Sequence, residues 1–178
     1  MQRISRMCLC LFTLLFAATS CAMADSEEGW KSFKGAWFSV EYPSGFQVRP
    51  SLKSRTSVKG VDSAFFTSPD GAVEFYVFSP QWNGEPSDIA LKPETEELVS
   101  EKVENKPDER QKMGAKLSVR WFTIAARDKS YTRSYVDTEN KQLNTRYVMG
   151  IKYPDQKVYK DFRDIYLKFV NSLRQFGD

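Results

Sequence analysis

The chain is predicted to fold as an α+β domain, an antiparallel sheet of about six strands packed with helices as an α/β/α sandwich and closed by a C-terminal amphipathic helix. Three observations predict it. Short runs of alternating apolar and polar residues follow one another through brief polar connections, which antiparallel pairing permits and parallel crossovers do not. Turn-forming Pro and Gly residues, Pro43 with Gly45 and Pro69 with Gly71, punctuate the early runs. One long apolar stripe at helical spacing occupies the C-terminal stretch.

The N-terminus reads differently from the rest. Arg3 and Arg6 precede an apolar run from Met7 to Ala18, and small residues end in Ala22-Met23-Ala24 before the polar Asp25-Ser26-Glu27-Glu28. A charged patch, a short apolar core and a small-residue end make residues 1–24 a signal peptide, which leaves 25–178 as a single domain. The location expected from this is the periplasm or the extracellular space. A competing reading takes Ala18-Thr19-Ser20-Cys21 as a lipobox, with anchoring to a membrane through lipidated Cys21, although leucine is missing three places before the cysteine.

Processing after Ala24 removes all of Cys8, Cys10 and Cys21, and the chain has no histidine. Thiol nucleophiles, disulfides and the N/S ligands of zinc and copper are then absent, so neither a metal site nor a cofactor is expected. The mature segment keeps 24 basic against 23 acidic residues. Near-neutrality argues against nucleic acid as a partner.

Within the domain, Trp37 to Tyr42 places Phe38, Val40 and Tyr42 on one side and Trp37, Ser39 and Glu41 on the other, as a half-buried strand does. Pro43-Ser44-Gly45 should reverse the chain into Phe46 to Arg49, a first hairpin. Val61 to Thr67 and Ala72 to Ser79, joined by Ser68-Pro69-Asp70-Gly71, form a second. Apolar residues on both faces of its latter strand, with Phe75 on one and Tyr76 and Phe78 on the other, predict that both faces are covered.

Residues 80–116 carry little apolar surface. Glu94 to Val103 reads as a helix or an irregular excursion because its long charged side chains favour helix; Val99 and Val103 argue instead for an edge strand. Leu117 to Ala126, Ser130 to Asp137 and Asn144 to Tyr153 form a three-stranded meander, in which a tight first turn sets Arg120 opposite Asp137 as a cross-strand ion pair. Pro154-Asp155 ends the last strand and caps a helix from Gln156 to Gln175, whose apolar stripe is Val158, Phe162, Ile165, Phe169, Leu173 and Phe176.

The phrase Phe38-Ser39-Val40-Glu41-Tyr42-Pro43-Ser44-Gly45-Phe46 resembles the opening of the PsbP-like superfamily, and the later hairpin and terminal helix are similar in order over residues 33–176. The resemblance implies an antiparallel sheet sandwiched by helices and points to the small bacterial envelope branch of unknown function, where binding and assembly are the usual activities. Metal-binding histidines of the photosynthetic branch have no counterpart in a chain without histidine.

Candidate binding residues are Trp82 in the proline-bounded loop, Arg133 and Tyr135 alternating with Tyr131 on one strand, and Tyr147 beside Arg146 on its neighbour. Tyrosine, tryptophan and arginine combine a large contact area with a polar tip and carry much of the energy of desolvated contacts. The alternative is that the tyrosines cover the sheet and Arg133 extends its charge to water. No catalytic fingerprint occurs. The expected function is non-catalytic: an exported protein that binds a protein partner in the cell envelope or assists complex assembly. Alternatives are a small apolar-ligand carrier, which needs an enclosed pocket between sheet and helix, and a carboxylate-based hydrolase drawing on Glu41, Asp62 or Glu74.

Overall fold

The computed structural model describes residues 29–108 and 116–176, and every strand pairing within it is antiparallel. The expected signal peptide, with Cys21, lies outside the described residues. The strands are β1 (Trp30–Lys34), β2 (Phe38–Pro43), β3 (Gln47–Pro50), β4 (Ser63–Thr67), β5 (Glu74–Phe78), β6 (Glu96–Pro107), β7 (Lys116–Ala126), β8 (Thr132–Asn140), β9 (Thr145–Tyr153) and β10 (Arg174–Gln175). One helix, α1 (Gln156–Asn171), precedes β10. A seven-stranded sheet runs β3-β4-β5-β9-β8-β7-β6, and a three-stranded sheet runs β1-β2-β10. The α+β class with antiparallel strands is as the sequence predicts; the described residues divide it between two sheets and one helix.

The turn after β2 forms, with the Phe46 N–H donating to the Pro43 carbonyl at 2.9 Å. The first hairpin does not. β2 pairs with β1 and β10 in the small sheet, while β3 pairs with β4 in the large one. A turn fixes a change of direction, but which strands pair afterwards is decided by which faces they can bury. Phe38 and Val40 of β2 are buried under α1 and the large sheet, so the small sheet is a lid on that core.

The second hairpin is built as expected. Gly71 adopts φ +72°, its N–H donates to the Ser68 carbonyl, and the Asp70 carboxylate accepts from the Ser68 hydroxyl at 2.5 Å and the Ala72 N–H at 3.1 Å. The meander also stands, with Lys129 and Asn144 at positive φ in its two turns.

The excursion expected at 94–103 is instead the long edge strand β6, paired with β7 from Glu96 to Pro107 with a bulge between Leu98 and Ser100. An edge strand open to water on both faces carries the charged side chains that also favour helix. Pairing with β7 outweighs a propensity worth tenths of a kcal/mol per residue.

Helix α1 starts where Asp155 accepts hydrogen bonds from the Lys157 and Val158 N–H groups at 2.8 and 2.9 Å. It stops before the expected end. The Ser172 hydroxyl donates to the Phe169 carbonyl and accepts from the Glu41 N–H, which ties the helix end to β2 and frees the chain to pair as β10. The stripe therefore divides: Val158, Phe162, Ile165 and Phe169 pack from the helix, whereas Leu173 and Phe176 lie beyond it.

Two cores result, one on each face of the large sheet. On the helix side, Phe169 sits 5.2 Å from both Phe66 and Phe75, ring centre to ring centre. On the other, Phe65, Tyr76, Phe78, Phe122, Ile124, Tyr135 and Val148 form a cluster with Ile89, and Gly150 lets the Tyr135 ring lie against the β9 backbone, where a Cβ would meet it at 2.2 Å. The cover on this second face is not a helix. It is the polar segment 79–95.

Candidate functional site

A polar segment can cover an apolar face only if its backbone and charges are satisfied there. Three fastenings do this. Arg146 donates to both Asp137 carboxylate oxygens at 2.9 and 2.8 Å, and also to the Gly84 carbonyl and the Glu85 carboxylate. Asp88, in a short 3-10 turn at Ser87–Ile89, accepts from the Ser63 and Tyr76 hydroxyls, each at 2.6 Å. Burial and the neighbouring Asp88 charge push the Tyr76 phenol well above its ordinary range, so it stays a donor.

The third fastening contains two residues that the sequence marks as binding candidates. Arg133 and Tyr135 are 7% and 5% exposed. The Arg133 guanidinium donates to both oxygens of Glu96 at 2.9 and 2.5 Å, to the carbonyls of Ile89 and Ala90, and to the Tyr135 hydroxyl. Glu96 further accepts from the Tyr131 hydroxyl and the Lys92 N–H. Burial works against the Glu96 carboxylate, but the hydrogen bonds from Arg133, Tyr131 and Lys92 outweigh it and hold its pKa below the ordinary value. Arg133 thus neither meets a partner at the surface nor extends to water, and Tyr135 packs between Tyr76 and Phe122. The expected Arg120–Asp137 pair is also corrected. The two residues do stand opposite each other, yet Arg120 pairs with Glu101 and Asp137 with Arg146.

Trp82 lies on this fastened segment and is 51% exposed. It lines a cleft of about 220 Å³ between the 52–56 and 80–87 stretches, together with Leu52, Arg55, Asp62, Phe78 and Glu85. Asp62 is the unusual member. Its backbone is fixed by bonds to Leu52 and Ser79, its side chain is buried, and its Oδ1 accepts no hydrogen bond from any described residue. Burial raises its pKa, opposed by the Ser54 hydroxyl and by the N–H and charge of Arg55. An under-satisfied buried carboxylate costs about 1–3 kcal/mol. A cation brought into the cleft would recover part of that cost, and the exposed indole of Trp82 offers the same cation a π face.

Tyr147 lies elsewhere. It is half-buried on the helix-side face and packs against the edge of that core, away from the cleft. The enclosed pocket that an apolar-ligand carrier requires between sheet and helix is filled by Phe38, Phe66, Phe75 and Phe169. Beside the helix there is an open groove of about 310 Å³ lined by Trp121, Tyr153, Tyr159 and Tyr166 among others. Of the acidic residues considered for hydrolysis, Glu41 is on the small sheet, and Asp62 and Glu74 sit at opposite ends of the β4–β5 ladder.

The sequence brings forward Trp82 as a binding candidate and Asp62 only as a carboxylate considered for hydrolysis; the structure sets both along one cleft. Asp62 abuts the fully buried run Ser63 to Phe66, and an acidic residue in that place is the signal that was available. Glu96 offered none, being one carboxylate in a charged run.

No protein-family model matches the chain. No curated protein matches it either. Among solved structures it is similar to the Ran-binding protein Mog1p of Saccharomyces cerevisiae, at 10% identity and TM-score 0.39, covering 83% of this chain and 96% of that one. It is also similar to a point mutant of the protein Mog1, at 12% identity and TM-score 0.37, with the same coverage. These findings correct the resemblance drawn from the opening phrase: the two solved structures named above are Mog1 proteins and not members of the PsbP-like envelope branch.

Proposed function

We propose that this chain is a non-catalytic protein-binding domain that works outside the cytoplasm and engages its partner through the cleft at Trp82. One observation carries the reading. A half-exposed tryptophan is held on a segment fastened to the sheet, beside a buried carboxylate that the chain itself leaves under-satisfied. Rigid aromatic anchors next to desolvated polar groups are where binding energy concentrates. The cleft has room for one long side chain, and its chemistry suits the ammonium or guanidinium end of a lysine or arginine.

The charge run that precedes the apolar N-terminal segment supports export, with cleavage after Ala24 or lipidation of Cys21 as the two routes. Fractionating cells that express the full chain and sequencing the N-terminus of the product separates these routes, and intact N-terminus in the cytosol would remove the export half of the proposal. For the binding half, the mature chain is used to capture partners from an envelope extract alongside Trp82→Ala and Asp62→Asn. A partner retained equally by all three proteins would place binding on another surface.

A further inference from the structure

β6 ends the seven-stranded sheet, with β7 on one side and no described strand on the other. At 12 residues it is long for an edge strand. Long edges are usually blunted by charge and bulges against pairing with other chains. The bulge here lies near one end, between Leu98 and Ser100, which leaves Ser100 to Pro107 as a regular run. Its side chains carry a pattern that can be tested against self-pairing.

When two copies of one strand pair antiparallel, residues whose backbone groups point outward must meet others that do the same. Those residues alternate, so the two-fold axis has to pass through a residue rather than between two. Axes at Glu101, Lys102 or Glu104 set that charge against its own copy. An axis at Asn105 runs the ladder past Pro107, which has no N–H to give. An axis at Val103 sets Lys102 opposite Glu104 of the other copy on both sides, sets Glu101 opposite Asn105, and seats Val103, 55% exposed, on its own copy. Lys102 and Glu104 are already in contact along the strand, on the face shared with Trp121, so the same groups need only change partner across the axis.

We propose that β6 is a self-pairing edge, through which two copies of this chain join their large sheets about a two-fold axis at Val103. The occupant is a second copy because the run is complementary to itself in this register, opposite charges facing across the axis.

The test is the oligomeric state of the full chain, measured by sedimentation and light scattering from micromolar to millimolar concentration. Lys102→Glu, at an exposed position, and Glu104→Lys, at a half-buried one, each place like charges across the axis and are expected to weaken the dimer about tenfold or more. The double variant Lys102→Glu with Glu104→Lys restores opposite charges and is expected to restore the dimer to within about twofold. Circular dichroism of each variant confirms that the fold is kept. A chain that stays monomeric throughout, a dimer indifferent to the single reversals, or a double variant as weak as the singles overturns the proposal.

Discussion

Glu96 and Asp62 are both buried carboxylates, and the protein treats them in opposite ways. Glu96 collects hydrogen bonds from Arg133, Tyr131 and a backbone N–H, and its pKa falls. Asp62 keeps one oxygen without a donor, and its pKa rises. Where the chain satisfies a buried charge, that charge fastens the fold. Where it does not, the cost persists in the folded state. The first region explains how a polar segment covers an apolar face; the second is the place at which the proposed binding cleft lies.

The comparison breaks most readily at Arg133. Arg133→Met leaves Glu96 charged and unpaired, and urea unfolding should show a loss of about 3–5 kcal/mol. A loss under about 1 kcal/mol would mean that the segment is held by something other than this fastening. Glu96→Gln should cost about 2–3 kcal/mol, because Arg133 then lacks its counter-charge. Since the folded pKa of Glu96 lies below its ordinary 4.5, its contribution is complete above that pH and is lost as pH falls through the folded value. The variant should therefore flatten the acid limb of the stability curve.

Trp82→Ala addresses the other region. Stability should change by less than about 0.5 kcal/mol, while affinity for a captured partner, followed by calorimetry, should fall by about 2 kcal/mol. Smallest and opposite in sign is Asp62→Asn. The folded pKa of Asp62 is raised above its ordinary 3.8, so its favourable contribution exists below that pH and disappears as pH rises through the folded value. At neutral pH the amide should match the wild type or exceed it by about 1 kcal/mol, and yet bind the partner more weakly. A destabilised Asp62→Asn would show that the carboxylate is a further fastening and would erase the contrast with Glu96.

Tyr131, Arg133 and Tyr135 show the limit of reading sites from strand periodicity. Their alternation correctly placed Arg133 and Tyr135 on one face, but the same residue types serve an exposed patch and a buried network equally well. The difference lay in Glu96, 37 residues away in the chain, which no local pattern connects to Arg133. The exposure of Trp82 was legible because a large aromatic residue in a proline-bounded polar stretch has few places to hide.

By itself the sequence determined the strands of the second hairpin and the meander, the helix start at Asp155 and the two-sided burial of β5, because each follows from turn chemistry or side-chain period within a few residues. Only the tertiary structure decided that β2 and β3 part into different sheets, that 96–107 is an edge strand, and that one buried carboxylate is satisfied while another is not. Those outcomes depend on contacts between distant segments, and the energy of burying a face or completing a hydrogen bond exceeds the local preferences that a sequence displays.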